Sequence, residues 1–201
     1  MNCLKKIAVI FLLSAFIWPG IYPALAGSWS DFHRAVYALH KQETAKYKLR
    51  IEEEEGEYLG ASGKGYRYLD TRYYDQASGR LISRVRRDEA KPELIHIVEV
   101  NLYENEKLVR DFGSITLPWA PLSSVNTMIN LHQYNGELHS FRQHNLDGEV
   151  EYEFCEGKLN GAPVRISLDK TDINQANTST VEYKACFNGM RKDWAQYKMP
   201  H

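Results

Sequence analysis

Cysteine is scarce in this 201-residue chain, which carries three, at positions 3, 155 and 186, and no two of them make a C-x-x-C pair. That spacing excludes a dithiol redox centre of the close-paired kind. A surplus of one charge is also lacking: 25 Lys and Arg face 26 Asp and Glu, so there is no electrostatic footprint for nucleic acid. No low-complexity tract or long linker divides the chain. The glycine-rich stretch Gly60 to Gly65 satisfies neither motif it invites. A phosphate-binding loop ends in Gly-Lys-Ser/Thr, whereas Lys64 is followed by Gly65 and position 58 is Tyr. A nucleophile elbow around Ser62 requires Gly where Lys64 stands. These glycines read as a tight turn between strands. No Ser/His/Asp order, catalytic carboxylate pair or Cys/His nucleophile stands out, so no motif fixes a chemistry.

Long apolar runs are confined to the N-terminus. Lys5 and Lys6 precede an apolar run from Ile7 to Trp18, and Ala24-Leu25-Ala26 forms a small-x-small site before Gly27. The run is about half the roughly 20 residues a membrane span requires, so residues 1–26 read as a secretory signal peptide. Residues 27–201 are then a single exported domain, periplasmic or extracellular, without a transmembrane segment. Cys3 leaves with the signal, and Cys155 and Cys186 remain as a pair expected to form a disulfide in an oxidising compartment. It would close a loop of about thirty residues, worth roughly 3.5 kcal/mol in the chain-entropy model.

What is present is alternation. From Gly63 to Leu117, segments of period two are separated by turn residues: Tyr66 to Asp75, Leu81 to Val85, Leu94 to Tyr103, and Leu108 to Arg110. Such a pattern predicts consecutive antiparallel strands. Tyr47, Leu49 and Ile51 alternate with charged residues in an earlier strand that runs into Glu52-Glu53-Glu54-Glu55. Because strand neighbours face opposite ways, these carboxylates do not make one calcium-binding cluster unless the strand breaks there. Asp147-Gly148 and Asn160-Gly161 predict type I′ hairpins joining strands near 138–144, 149–155 and 163–168. A last strand is expected at Val181 to Phe187, after a polar loop or short helix over 171–180.

Two helices are expected. Trp29, Phe32, Val36 and Leu39 recur at helical spacing over about 30–45, with Ser30 or Asp31 as the cap, and His33, Tyr37 and His40 along a solvated flank. Trp119-Ala120-Pro121 opens a mid-chain helix whose period runs through Leu122, Val125, Ile129 and His132 to Gly136. The fold class is therefore mainly β (α+β): a curved antiparallel sheet, partial barrel or sandwich of about nine strands, with an N-terminal helix, one mid-chain helix and one disulfide. On strand 149–155, Val150, Tyr152 and Phe154 are expected to point inward and Glu151, Glu153 and Cys155 outward.

One strand face, Tyr66, Tyr68, Asp70, Arg72 and Tyr74, mixes aromatic rings with an acid and a base. Tyr66, Tyr68, Arg72 and Tyr74 are the candidate ligand-binding residues, suited to stacking plus directed hydrogen bonds. His96, within an apolar row, reads as a satisfied core histidine. His139 and His144 lie on opposite faces of a regular strand, so with His132 they cannot share one metal ion without a bulge; no metal site and no cofactor is expected. The functional expectation is an exported, non-enzymatic binding or accessory protein of the envelope, whose partner is a small molecule, glycan, lipid or envelope protein. The alternative is a secreted hydrolase or metal-dependent enzyme whose His and Asp/Glu residues meet only in three dimensions.

Overall fold

The computed structural model describes residues 29–60, 63–119 and 126–190. The proposed signal segment, and the opening of the expected mid-chain helix at 120–125, lie outside them. Helix α1 (Trp29–Thr44) is followed by β1 (Leu49–Leu59), β2 (Gly65–Asp75), β3 (Leu81–Asp88), β4 (Ile95–Glu104), β5 (Lys107–Ile115), β6 (Asn126–Asn135), β7 (Leu138–His144), β8 (Val150–Leu159) and β9 (Ala162–Asp169). A short 3-10 turn, Lys170–Asp172, leads to α2 (Gln175–Thr178) and α3 (Val181–Phe187). The nine strands make one open antiparallel sheet whose spatial order is the order in sequence. Each strand thus pairs with its neighbours in sequence, which is the simplest way to satisfy ladder hydrogen bonds in an antiparallel sheet. Among the described residues no helix is long and apolar enough to cross a membrane.

Both larger helices lie on the same sheet face. Phe32, Val36 and Leu39 of α1 pack on Val85, Val98, Val100, Phe112 and Ile129 from β3 to β6. Each such buried side chain contributes about 1.5–3 kcal/mol. His33 and His40, expected on a solvated flank, instead point into this interface. His33 Nδ1 lies 3.0 Å from Ser114 Oγ, and His40, 5% exposed, lies 2.9 Å from Ser83 Oγ. The Ser83 hydroxyl donates to the Glu99 carbonyl at 2.6 Å, so it accepts from His40 Nδ1–H. The helical stripe is wider than the apolar pattern suggested because two serines of the sheet give imidazoles a place to bond. His96 is buried, and among the described residues neither of its ring nitrogens has a hydrogen-bond partner; Asp88 Oδ2 lies 3.8 Å from Nε2.

Two elements differ from expectation. Over its described part the expected mid-chain helix is strand instead: Asn126–Asn135 is β6, paired to β5 and β7, and the second helix packed on the sheet is α3, nearer the C-terminus. Leu131 and Ile129 reach the covered face by strand alternation, and the Gly136 that was to end a helix takes φ 63° in the β6–β7 turn. Conversely, Val181–Phe187 is a helix, not a strand. Thr180 Oγ1 accepts from the Tyr183 amide at 3.2 Å as an N-cap, and Tyr183, Cys186 and Phe187 form a buried stripe at helical spacing. The hairpin at Asn160-Gly161 has both residues at positive φ, 52° and 82°, as a type I′ turn requires. At Asp147-Gly148 only Gly148 is positive, and Asn145 Oδ1 closes a longer turn by accepting from Asp147 and Glu149.

The disulfide joins Cys155 on β8 to Cys186 on α3, with a Cα–Cα distance of 6.0 Å. It fastens the helix to the sheet, so no curling between strands is needed. The facing of β8 is therefore the reverse of the expected one: Cys155 and Glu153 are buried under α3, while Tyr152 and Phe154 lie on the open face. Glu153 can be buried because Arg142 donates to its Oε1 from Nε at 2.6 Å and Tyr183 Oη donates to its Oε2 at 2.7 Å. Both charged residues are 1% exposed.

Candidate functional site

The face opposite the helices has no helix over it among the described residues, and the register places the chemistry-bearing residues of β1 to β3 there together. Tyr58 opposes Tyr66, Gly56 opposes Tyr68, Glu54 opposes Asp70 and Glu52 opposes Arg72. Asp70 in turn opposes Arg86, and Arg72 opposes Arg84. Asp70 is 1% exposed even on this open side because two guanidiniums cover it. Arg84 donates to Oδ1 at 2.9 Å and to Oδ2 at 2.6 Å, and Arg86 donates to Oδ2 at 2.6 Å. Burial alone would raise the Asp70 pKa, but the hydrogen bonds from Arg84 and Arg86 outweigh it and hold the carboxyl below the usual range. Arg86 also donates to Tyr58 Oη at 2.6 Å and lies 3.9 Å from the centroid of the Tyr68 ring.

Glycine supplies the room for this arrangement. A Cβ at Gly56 would stand 2.3 Å from the Tyr68 phenol, so the absence of a side chain lets Tyr68 lie across β1 toward Tyr58, centroid to centroid 4.8 Å. Tyr66 packs on Trp119 at 5.7 Å, and Trp119 stands edge-on to Tyr58 at 6.5 Å. Trp119 remains 44% exposed. Next to Tyr66 a cleft of about 420 Å³ opens between the start of β2 and the β3–β4 connection, lined among others by Lys64, Arg67, Glu89, Lys91 and Leu94. Arg67 is tied to Glu89 at 2.7 Å and to Glu55 at 3.1 Å. Among the described residues neither Lys64 nor Lys91 is in an ion pair, although Asp88 also lines the cleft and accepts from the Lys91 amide at 2.8 Å; Lys64 sits 5.1 Å from the Tyr66 ring centroid.

The four residues singled out by sequence do share one strand face, but they do not make one site. Tyr66 and Tyr74 are eight residues apart, roughly 26 Å along a strand. Tyr66 and Tyr68 belong to the aromatic cluster and cleft. Arg72 pairs with Glu54 at 3.0 Å, and Tyr74 carries the Arg50 guanidinium over its ring at 4.2 Å, away from the cleft. Sequence reading missed Tyr58 and Trp119. Arg84 and Arg86, which alternate on the strand that follows, were legible as additions to this face.

A second group lies farther along the same face. Asp111 on β5, His132 on β6 and His139 on β7 are hydrogen-bonded in sequence: His132 Nε2 to Asp111 Oδ2 at 2.7 Å, and His132 Nδ1 to His139 Nε2 at 3.0 Å. Asn130 donates to the other Asp111 oxygen at 2.8 Å. His144 is on the covered face, as strand alternation requires, with Nδ1 3.3 Å from the Gly148 carbonyl. Among the described residues no three His, Cys, Asp or Glu side chains are arranged to hold a metal ion. Comparison with protein-family models, with curated proteins and with solved structures gives no match.

Proposed function

We propose that this chain is an exported binding protein of the cell envelope, and that its ligand stacks on Tyr66 and Trp119 while setting an anionic group against Lys64 and Lys91. The observation that carries this reading is the pairing of an exposed aromatic cluster with a cleft of about 420 Å³ lined by Tyr66, Lys64 and Lys91, in which Lys64 lies 5.1 Å from the Tyr66 ring centroid. Aromatic stacking plus a few placed charges is how small-molecule sites combine affinity with orientation. Asp70, Arg84 and Arg86 form a stiff charged floor that holds Tyr58 and Tyr68 in place. Export is supported by the disulfide, which persists in oxidising compartments.

Native mass spectrometry of the chain taken from its host's envelope tests the reading, with 8-anilinonaphthalene-1-sulfonate, a ring bearing an anionic group, as a solution probe. A retained anionic molecule, and probe fluorescence that falls in both Tyr66→Ala and Lys91→Glu at unchanged melting temperature, is the expected result. A bare chain whose probe response is the same in wild type and both variants would sink it.

A further inference from the structure

The Asp111–His132–His139 chain has the connectivity of an orienting acid, a base and a nucleophile, and its proton positions follow from its partners. Asp111 is an acceptor, so His132 carries its hydrogen on Nε2. Its Nδ1 is then a lone pair, and His139 must donate to it from Nε2–H. The two rings are inclined by only 17° with centroids 5.2 Å apart, the separation of near-coplanar imidazoles joined edge to edge rather than face to face. His139 is left with a free lone pair on Nδ1. Among the described residues that nitrogen has no hydrogen-bond partner, and it is not fully buried. Tyr134 lies parallel to the His139 ring at 4.6 Å and fixes its plane. Next to the relay Phe141 packs on Phe154 at 5.4 Å and on Tyr152 at 5.8 Å, all on the open face.

We propose that this relay is an acyl-transfer site in which His139 Nδ1 attacks the carbonyl of an ester whose apolar acyl chain lies on Phe141, Tyr152 and Phe154. The aromatic floor selects an apolar acyl group over a phosphoryl group, which would call for a clamp of guanidiniums. On attack, the Nδ1–carbonyl bond forms and the bond to the leaving oxygen breaks. The acylated ring passes its Nε2 proton to His132 Nδ1, and the imidazolium so formed is stabilised by Asp111 while the departing alkoxide takes a proton from water. The hydroxide left behind cleaves the acyl-imidazole, releasing the acid, and His132 returns its proton to His139 Nε2. His139 is the catalytic residue, His132 its base, and Asp111 a positioning residue. The site is separate from the Tyr66 cleft and stands independently of the binding reading.

Release of p-nitrophenolate from p-nitrophenyl butyrate by the purified, disulfide-bonded chain provides the test, with acid-quenched peptide mapping to locate the acyl group. The expected result is a stoichiometric burst with one butyryl group on His139, lost in His139→Gln, and slowed about 10²-fold in Asp111→Asn with the acid limb of its pH profile displaced. No burst, or acylation of lysines instead, overturns the proposal. Imidazole ¹⁵N spectra of the wild-type chain supply a readout independent of the variants' folding: protons on Nε2 of both His132 and His139 are required, and the opposite tautomer on either ring refutes the relay.

Discussion

The buried pair beneath α3 offers the sharpest test of how the C-terminal half is held together. Arg142 and Glu153 sit opposite each other on β7 and β8, each 1% exposed, with Tyr183 of α3 donating to the free carboxylate oxygen. Glu153→Ala removes the carboxylate to which this guanidinium is bonded among the described residues, at a site out of water, a loss of about 3–5 kcal/mol. It also strands the Tyr183 hydroxyl, whose pKa burial and then the Glu153 hydrogen bond push up to about 12. Replacing both partners at once, Arg142→Met with Glu153→Leu, removes the desolvation penalty together with the attraction, so the double variant should recover most of that loss, short of the cost of the Tyr183 hydroxyl that both variants leave without its acceptor. Urea unfolding followed by circular dichroism, with the disulfide intact, measures both. With a slope of about 2 kcal/mol per molar, the single variant should lower the midpoint by about 2 M. A shift under about 0.5 M would mean that water reaches Arg142, and the packing of α3 on β7 and β8 would have to be reconsidered.

Acid should loosen the other half. Burial, with Arg87 and Lys41 nearby, lowers the His40 pKa to about 4 from 6.5, so the neutral ring is the folded form. The stabilisation is complete above about pH 6.5 and is lost as pH falls toward 4; at pH 5 His40 alone costs about 2 kcal/mol, and His33 and His96 shift in the same direction. Thermal melts from pH 7.5 to 4.5 should therefore fall steeply, and His40→Gln should flatten the slope; an unchanged slope would refute it. Reducing the Cys155–Cys186 bridge, or replacing both cysteines by alanine, should lower stability by roughly 3.5 kcal/mol in the chain-entropy model and detach α3 first, seen as faster amide exchange at 181–187 than in the strands. Gly157→Ala should destabilise by about 2 kcal/mol or more, because φ is 138° and the new Cβ would meet the Glu137 carbonyl oxygen at 2.1 Å; equal urea midpoints would contradict that.

Most of the strands were legible in the sequence because period two and turn residues are local signals. β6 was not: Leu122, Val125, Ile129 and His132 satisfy a helical period by coincidence, and the deciding term is ladder pairing to β5 and β7, which no local pattern contains. In Val181–Phe187 the opposite happened, since Val181, Tyr183, Ala185 and Phe187 alternate as a strand would. The Thr180 cap and the Tyr183, Cys186, Phe187 spacing were the signals that favoured a helix. The face of β8 was inverted because its buried side carries Glu153, which reads as solvent-facing until Arg142 is placed opposite it. Of the candidate sites, the tyrosine face followed from alternation alone. The histidine relay could not, because Asp111, His132 and His139 meet only when three strands are in register.

The sheet is open, so among the described residues it has two edge strands, β1 and β9, and their composition bears on whether molecules can join edge to edge. β1 is eleven residues long and exposes most of them, including Glu52, Glu53, Glu54 and Glu55. A second copy pairing along it antiparallel would bring two runs of carboxylates together, and like charges facing across strands repel. At the other margin Pro163 removes one amide from the β9 edge. The glutamate run thus works as a terminator, set at the margin where a further strand would have to add.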